Sequence, residues 1–180
     1  MEQQQAHRPE IDWDRLRRPV PKESLQVRPG ARTKDGAQAL VIAYIDADYV
    51  ADTLDTVVGP SNWRTQCQEI TGAGVVAVRR SIAIRVGDEW IEKWDYGYPN
   101  SIVDGQVKDE QPLKSAASDA LKRAARLWGI GRELSRALYV YGGLNERKRF
   151  AEPEKLRDEF WRRIQALRRT GNGSQSDSRR

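Results

Sequence analysis

The chain is poor in the residues that most often carry chemistry. Cysteine occurs once, at Cys67, and histidine once, at His7. A single cysteine permits no internal disulfide and no multi-cysteine metal site. A single histidine in a polar N-terminal stretch leaves His-dependent catalytic triads and His-ligated zinc without their residues. No uninterrupted apolar run approaches bilayer length, so no membrane-spanning helix is expected. Met1-Glu2-Gln3-Gln4-Gln5 lacks the basic-then-apolar pattern of a secretory signal. A Gly-x-x-x-x-Gly-Lys-Ser/Thr loop to cradle phosphates is also missing, and Gly129-Ile130-Gly131 reads as a helix end. These absences leave carboxylate and metal chemistry, or a binding protein.

What the chain does have is charge. Of its 180 residues 32% are charged and 38% hydrophobic, with a mean hydropathy of -0.76, which suits a very soluble chain with apolar material for one core. The net charge of +5 is unevenly spread. Residues 1–112 carry 14 Lys and Arg against 18 Asp and Glu, whereas residues 113–180 carry 17 against 8. A basic C-terminal part points to a polyanionic partner, nucleic acid first and an anionic membrane surface second.

No repeat or domain boundary is evident. The expected organisation is a disordered tail over residues 1–9, a core domain over 10–142, a basic helical extension over 143–169 and a disordered tail over 170–180. A helical turn over Ile11 to Arg18 ends before Pro19 and Pro21, and residues 28–36, with Pro29 and Gly30, read as a loop. Val50, Leu54, Val57 and Val58 recur at helical spacing between a capping Asp46 and Gly59-Pro60. Trp63 to Thr71, Val75 to Val86 and Glu89 to Tyr98 are strand-like runs with short glycine-bearing connections, the pattern of an antiparallel meander. In the middle run Val76, Val78, Ile82, Ile84 and Val86 define a core face, and Arg79, Ser81 and Arg85 a polar, basic one. Residues 99–112 read as a loop. Leu113 to Trp128 is the strongest helix: Leu113, Ala116, Ala117, Ala120, Leu121, Ala124 and Trp128 form one stripe, and Gly129 stops it. Short helices are expected over 132–141 and, strongly basic, over Glu154 to Arg169.

Several motifs have a structural reading and a functional one. Asp46, Asp48, Asp52 and Asp55 resemble the oxygen-rich set a magnesium ion needs, but on a helix Asp48, Asp52 and Asp55 make a solvated face opposite the apolar stripe. The only Glu-x-Lys, Glu146-Arg147-Lys148, lies in a charged segment without strand character, so a metal-dependent nuclease has little support. Trp63, Trp90, Trp94 and Trp128 are assigned mainly to the core or to a subunit interface, while Tyr96-Gly97-Tyr98 offers stacking surface for bases. Lys122, Arg123 and Arg126, with Lys114 nearer the helix start, place cations within reach of consecutive phosphates. Arg79 and Arg85 extend that track on the sheet. The expected DNA-binding set is therefore Lys122, Arg123, Arg126, Lys114, Arg79, Arg85 and Tyr96. Against it stand two other classes, the nuclease and a double-stranded-RNA binder.

The segment Ala116 to Gly131, Ala-Ala-Ser-Asp-Ala-Leu-Lys-Arg-Ala-Ala-Arg-Leu-Trp-Gly-Ile-Gly, resembles the signature helix of the Rad-fifty-two-type single-strand-annealing proteins. It is especially similar to that of their short bacterial DdrA-like members. Ala43-Tyr44-Ile45-Asp46, Asn62-Trp63, the meander and Tyr96-Gly97-Tyr98 follow in the same order, so the resemblance covers roughly residues 15–142. It implies an α+β fold in which a three-stranded antiparallel sheet packs on a long basic-faced helix flanked by shorter helices. It further implies protomers joined into a ring or arc, with single-stranded DNA in a basic groove, its backbone held and its bases free to pair. Lys122, Arg123 and Arg126 match the basic positions of the signature helix, whereas Tyr49 stands where eukaryotic members carry a basic residue. Implied with it are ATP-independent annealing in recombination and double-strand-break repair, no cofactor, no metal and no covalent chemistry. The partners implied are single-stranded DNA and further copies of the chain, with a single-strand-binding protein or an exonuclease beside them and no membrane. The implied location is cytoplasmic and nucleoid-associated, in a bacterial or phage setting.

Overall fold

A computed structural model of the chain describes residues 10–72, 75–99, 102–103, 106–107, 110–135 and 139–173. Of the tails expected over 1–9 and 170–180, residues 1–9 and 174–180 lie outside the described residues, and residues 170–173 are not tail but the last turn of a helix over Pro153–Gly173. In chain order the elements are α1 (Trp13–Leu16), β1 (Gln26–Arg32), β2 (Gln38–Tyr44), α2 (Ala47–Val57), β3 (Trp63–Gly72), β4 (Val75–Val86), β5 (Glu89–Gly97), β6 (Ile102–Val103), β7 (Gln106–Val107), α3 (Pro112–Trp128), β8 (Tyr141–Gly143) and α4 (Pro153–Gly173). Single 3-10 turns occur at Lys22–Ser24 and Arg132–Ser135. The class is α+β with antiparallel sheets, and there are two three-stranded sheets where the sequence suggested one. The chain forms two compact units, each built from two stretches: the N-terminal stretch to Arg18 with Asp46–Ile130, and Pro19–Ile45 with Gly131 onward. Composition read along the chain shows no boundary because neither unit is a continuous run.

The first unit holds the expected meander, ordered β3-β4-β5, with hairpin pairing from Trp63↔Ile84 to Gly72↔Val75 and from Val78↔Gly97 to Val86↔Glu89. α3 lies on the sheet face that carries Val78, Ile82 and Ile84, all essentially buried. Its alanines make the approach close: Ala116 and Ala120 are fully buried against Val78. Opposite Val78, Gly97 has no room for a side chain, because a Cβ there would strike the Ala116 carbonyl oxygen and the Ala120 amide nitrogen. Gly129 ends α3 at φ 106°, the left-handed conformation that glycine adopts without penalty. Asp46 caps α2 by accepting from the Tyr49 amide at 2.8 Å, and Val50 and Leu54 bury its apolar stripe. Trp128 closes the core, its Nε1 donating to the Ile82 carbonyl at 3.1 Å and its indole stacked on Trp13 at 6.0 Å.

In the second unit the sheet runs β1-β2-β8, α4 packs on β1 and β2, and Phe160 and Ile164 of α4 are buried. Here the reading of residues 28–36 as a loop needs correction: Pro29 and Gly30 are inside β1. β1 is an edge strand with an irregular register between Pro29 and Arg32, and an edge is where a residue without an N–H is tolerated. Residues 99–112 are likewise not plain loop, since β6 and β7 pair within them. The short helix expected over 132–141 is a 3-10 turn at Arg132–Ser135, and Tyr141 already belongs to β8.

Candidate nucleic-acid interface

Strand alternation decides what faces α3. β4 residues of even number look towards the helix, so Arg80 shares the core face with Val78 and Ile82, donating to Thr65 Oγ1 at 3.0 Å and to the Ala117 carbonyl at 3.4 Å. The other β4 face, expected to be simply polar and basic, is buried at Ala77, Ser81 and Ala83. Long side chains from the flanking strands and from β4 itself fold over these small residues. The Arg64 guanidinium lies 4.3 Å from the centroid of the Trp90 ring, and that of Arg79 lies 4.3 Å from the Trp94 ring. Such pairings are cation–π contacts. Trp94 meets Tyr96 edge-on at 5.4 Å, and both remain exposed. Trp94 is 43% exposed in this chain rather than core, whereas Trp128 is core as expected.

On α3 the cations occupy the flank left after packing. Lys114 is exposed, and Lys122, Arg123 and Arg126 are half-buried. Arg123 Nε sits 3.4 Å from Asp95 Oδ1 on β5, an ion pair without hydrogen-bond geometry. Burial pushes the Arg126 guanidinium below its ordinary value, and the neighbouring Arg123 adds to this, while Asp119 and Asp95 act the other way. A guanidinium so placed stays protonated, and an added anion lowers its energy. Asp119 is also tied to the sheet edge, accepting from the Tyr98 amide at 3.3 Å. At the C-terminal end of α3 Lys93 donates to the Leu127 carbonyl at 3.1 Å and lies 4.2 Å from the centroid of the Trp128 ring.

The structure thus groups Lys122, Arg123 and Arg126 on one helix, and places Arg79, Arg85 and Tyr96 on the opposite side of the sheet from that helix. The single track expected from the sequence is therefore two surfaces. Arg85 lies 3.7 Å from Asp88, and Tyr49 is half-buried on the first turn of α2. Sequence reading missed Asp95, Arg64 and Lys93. A signal was available for the sheet face: Trp90, Glu92, Trp94 and Tyr96 share one parity, as Arg64, Gln66 and Gln68 do. Among the described residues no group of three or more His, Cys, Asp or Glu side chains is placed to hold a metal ion. Asp55, from the acidic helix, accepts from Trp63 Nε1 at 2.6 Å. Nor is any described helix long and apolar enough to cross a membrane.

A family model described as Rad52/22 family double-strand break repair protein matches residues 12–142. The chain is also similar to two proteins named single-stranded DNA-binding protein DdrA, at 37% identity in Deinococcus deserti and 33% in Deinococcus radiodurans, each over 120 residues. The matched region is 67% of this chain and 54% and 52% of those proteins. The chain therefore spans about half the length of the relatives it matches.

Proposed function

The chain belongs to the Rad52/22 family of double-strand break repair proteins, and we propose that it binds single-stranded DNA and anneals complementary strands without ATP, metal or covalent chemistry. The observation that carries this reading is the flank of α3, where Lys122, Arg123 and Arg126 stand within about one helical turn and Asp119 and Asp95 only partly offset them. Phosphate oxygens suit such a concentration of positive charge, and contacts to phosphate hold a strand in register without reading its sequence. Annealing needs that combination, since the bases must stay free to pair. Each protomer supplies few contacts, so affinity comes from several protomers acting on one strand, and we place them side by side in a ring or arc. The order β3-β4-β5 supports this, because β3 and β5 are both edge strands whose outer backbone groups have no strand partner in their own sheet. Lys114 extends the α3 surface, and Arg79, Arg85 and Tyr96 contribute from the sheet. The protein works in the cytoplasm at damaged DNA, where an exonuclease or a single-strand-binding protein supplies or covers its substrate.

The test is Lys122→Ala combined with Arg126→Ala, assayed by salt titration of binding to single- and double-stranded oligonucleotides with EDTA present, followed by strand annealing. Loss of two phosphate contacts lowers the slope of log affinity against log salt by ~1.4 for single strands. Helicity and particle size are expected to be unchanged. Wild-type binding by a folded double variant contradicts the assignment.

A further inference from the structure

The sheet face turned away from α3 carries a polar concavity separate from the α3 cations. It has a volume of about 250 Å³ and is lined by Gln66, Gln68, Arg79, Ser81 and Glu92. At its floor Ser81 is 5% exposed, the only buried polar residue among those described, and its Oγ makes no hydrogen bond. A buried hydroxyl without a protein partner is costly, so Ser81 Oγ is suited to a hydrogen bond with a polar group that enters the concavity. The register sets Gln66 and Trp94 directly on either side of Ser81, and Gln68 and Tyr96 on either side of Arg79.

We infer that this concavity receives a single unstacked nucleobase of the bound strand, held edge-on by Ser81, Gln66 and Glu92 and stacked against the exposed Trp94–Tyr96 pair. The inference rests on the single-strand binding proposed above. Ligand chemistry follows from the lining groups. Glu92 disfavours a phosphate, and the Arg79 charge is directed over the Trp94 ring. A hydroxyl and two amides both donate and accept, which matches a base edge, and a carboxylate accepts from an exocyclic amino group. Trp94 and Tyr96 stand exposed beside the concavity, and a base stacks on the aromatic surface that Arg79 leaves open. Three arginines on this face, Arg64, Arg79 and Arg85, against the carboxylates of Glu92 and of Asp88 beside Arg85, keep the approach favourable for an anionic chain. Since α3 covers the other side of the same sheet, the base taken here belongs to a different nucleotide from the one held at Lys122 and Arg126.

The experiment compares a single-stranded oligonucleotide with an abasic strand of equal length and charge, binding each to the full chain at several salt concentrations. The wild type is expected to bind the base-bearing strand about tenfold more tightly, the scale of one base–aromatic stack. Trp94→Leu, and separately Gln66→Ala with Gln68→Ala at exposed positions, should remove that ratio and leave the salt slope intact. Lys122→Ala with Arg126→Ala should do the reverse, lowering the slope and keeping the ratio. Equal wild-type affinity for both strands overturns the base pocket while sparing the phosphate-binding reading. No binding to either strand overturns the underlying function. A changed particle size with the ratio preserved in the sheet variants means that this face meets a second copy of the chain, and also overturns the pocket.

Discussion

Gly97→Ala tests whether the close approach of α3 to the sheet is what the alanine stripe is for. Gly97 has an ordinary backbone conformation, so the substitution adds no conformational strain and its whole effect is steric. The new methyl group meets the Ala116 carbonyl oxygen and the Ala120 amide, which are backbone atoms of α3 and have no rotamer in which to yield. The helix must lift, and the fully buried contact of Ala116 and Ala120 with Val78 opens with it. Overpacking of a core costs ~1–3 kcal/mol, and a collision with backbone belongs at the upper end, ~3 kcal/mol. For a 180-residue chain that is a fall in melting temperature of ~6–12 °C. Gly143→Ala is the matched control, since Gly143 also lies in a strand, lacks a positive φ and has open space where its Cβ would stand. Thermal melts followed by far-ultraviolet circular dichroism and tryptophan fluorescence measure both variants. A Gly97→Ala melt that coincides with that of Gly143→Ala refutes the packing argument.

Two further outcomes follow from local chemistry. Asp46→Ala removes the side-chain cap of α2 and should destabilise the chain by ~1 kcal/mol, read as a lower urea midpoint, with Asp46→Asn largely restoring it. The Lys22 ammonium, 2.7 Å from Asp158, holds that carboxyl below its ordinary 3.8. A carboxyl depressed in the folded state stabilises above its unfolded pKa and loses that contribution as pH falls through the folded one. The melting midpoint should therefore drop as pH is lowered through 3.8 and below, and Lys22→Ala should remove that part of the dependence. An acid profile identical in wild type and Lys22→Ala would show that the pair is not coupled to stability.

Local signals made much of the first unit legible. The α3 stripe repeats at helical spacing with Gly129 at its end, Asp46 stands where a cap is required, and Gly87-Asp88 fixes the second hairpin. β1 and β2 were not legible in the same way. Leu40-Val41-Ile42-Ala43-Tyr44 is a continuous apolar run, and its partner β8 comes from Tyr141–Gly143, so the pairing that makes it a strand is far away in sequence. Pro29 and Gly30 are breakers by composition, and only the position of β1 at a sheet edge admits them.

The candidate site divides along the same line between local and distant information. Lys122, Arg123 and Arg126 are neighbours on one helix, so their spacing alone places them together. Their partner Asp95 sits on β5 and becomes visible only when the helix is laid on the sheet. Period-two alternation says that Arg79, Ser81 and Trp94 share a face through the register of β4 and β5, but it does not say which face the helix will cover. Once α3 takes the even face, Arg79 and Arg85 are parted from the α3 cations. Lying over an indole, Arg79 borders amides and a hydroxyl instead of other positive charges. Residues that look alike when charge is counted along the chain thus acquire different surroundings, one group beside other cations on α3 and the other among amides, a hydroxyl and aromatic rings on the sheet.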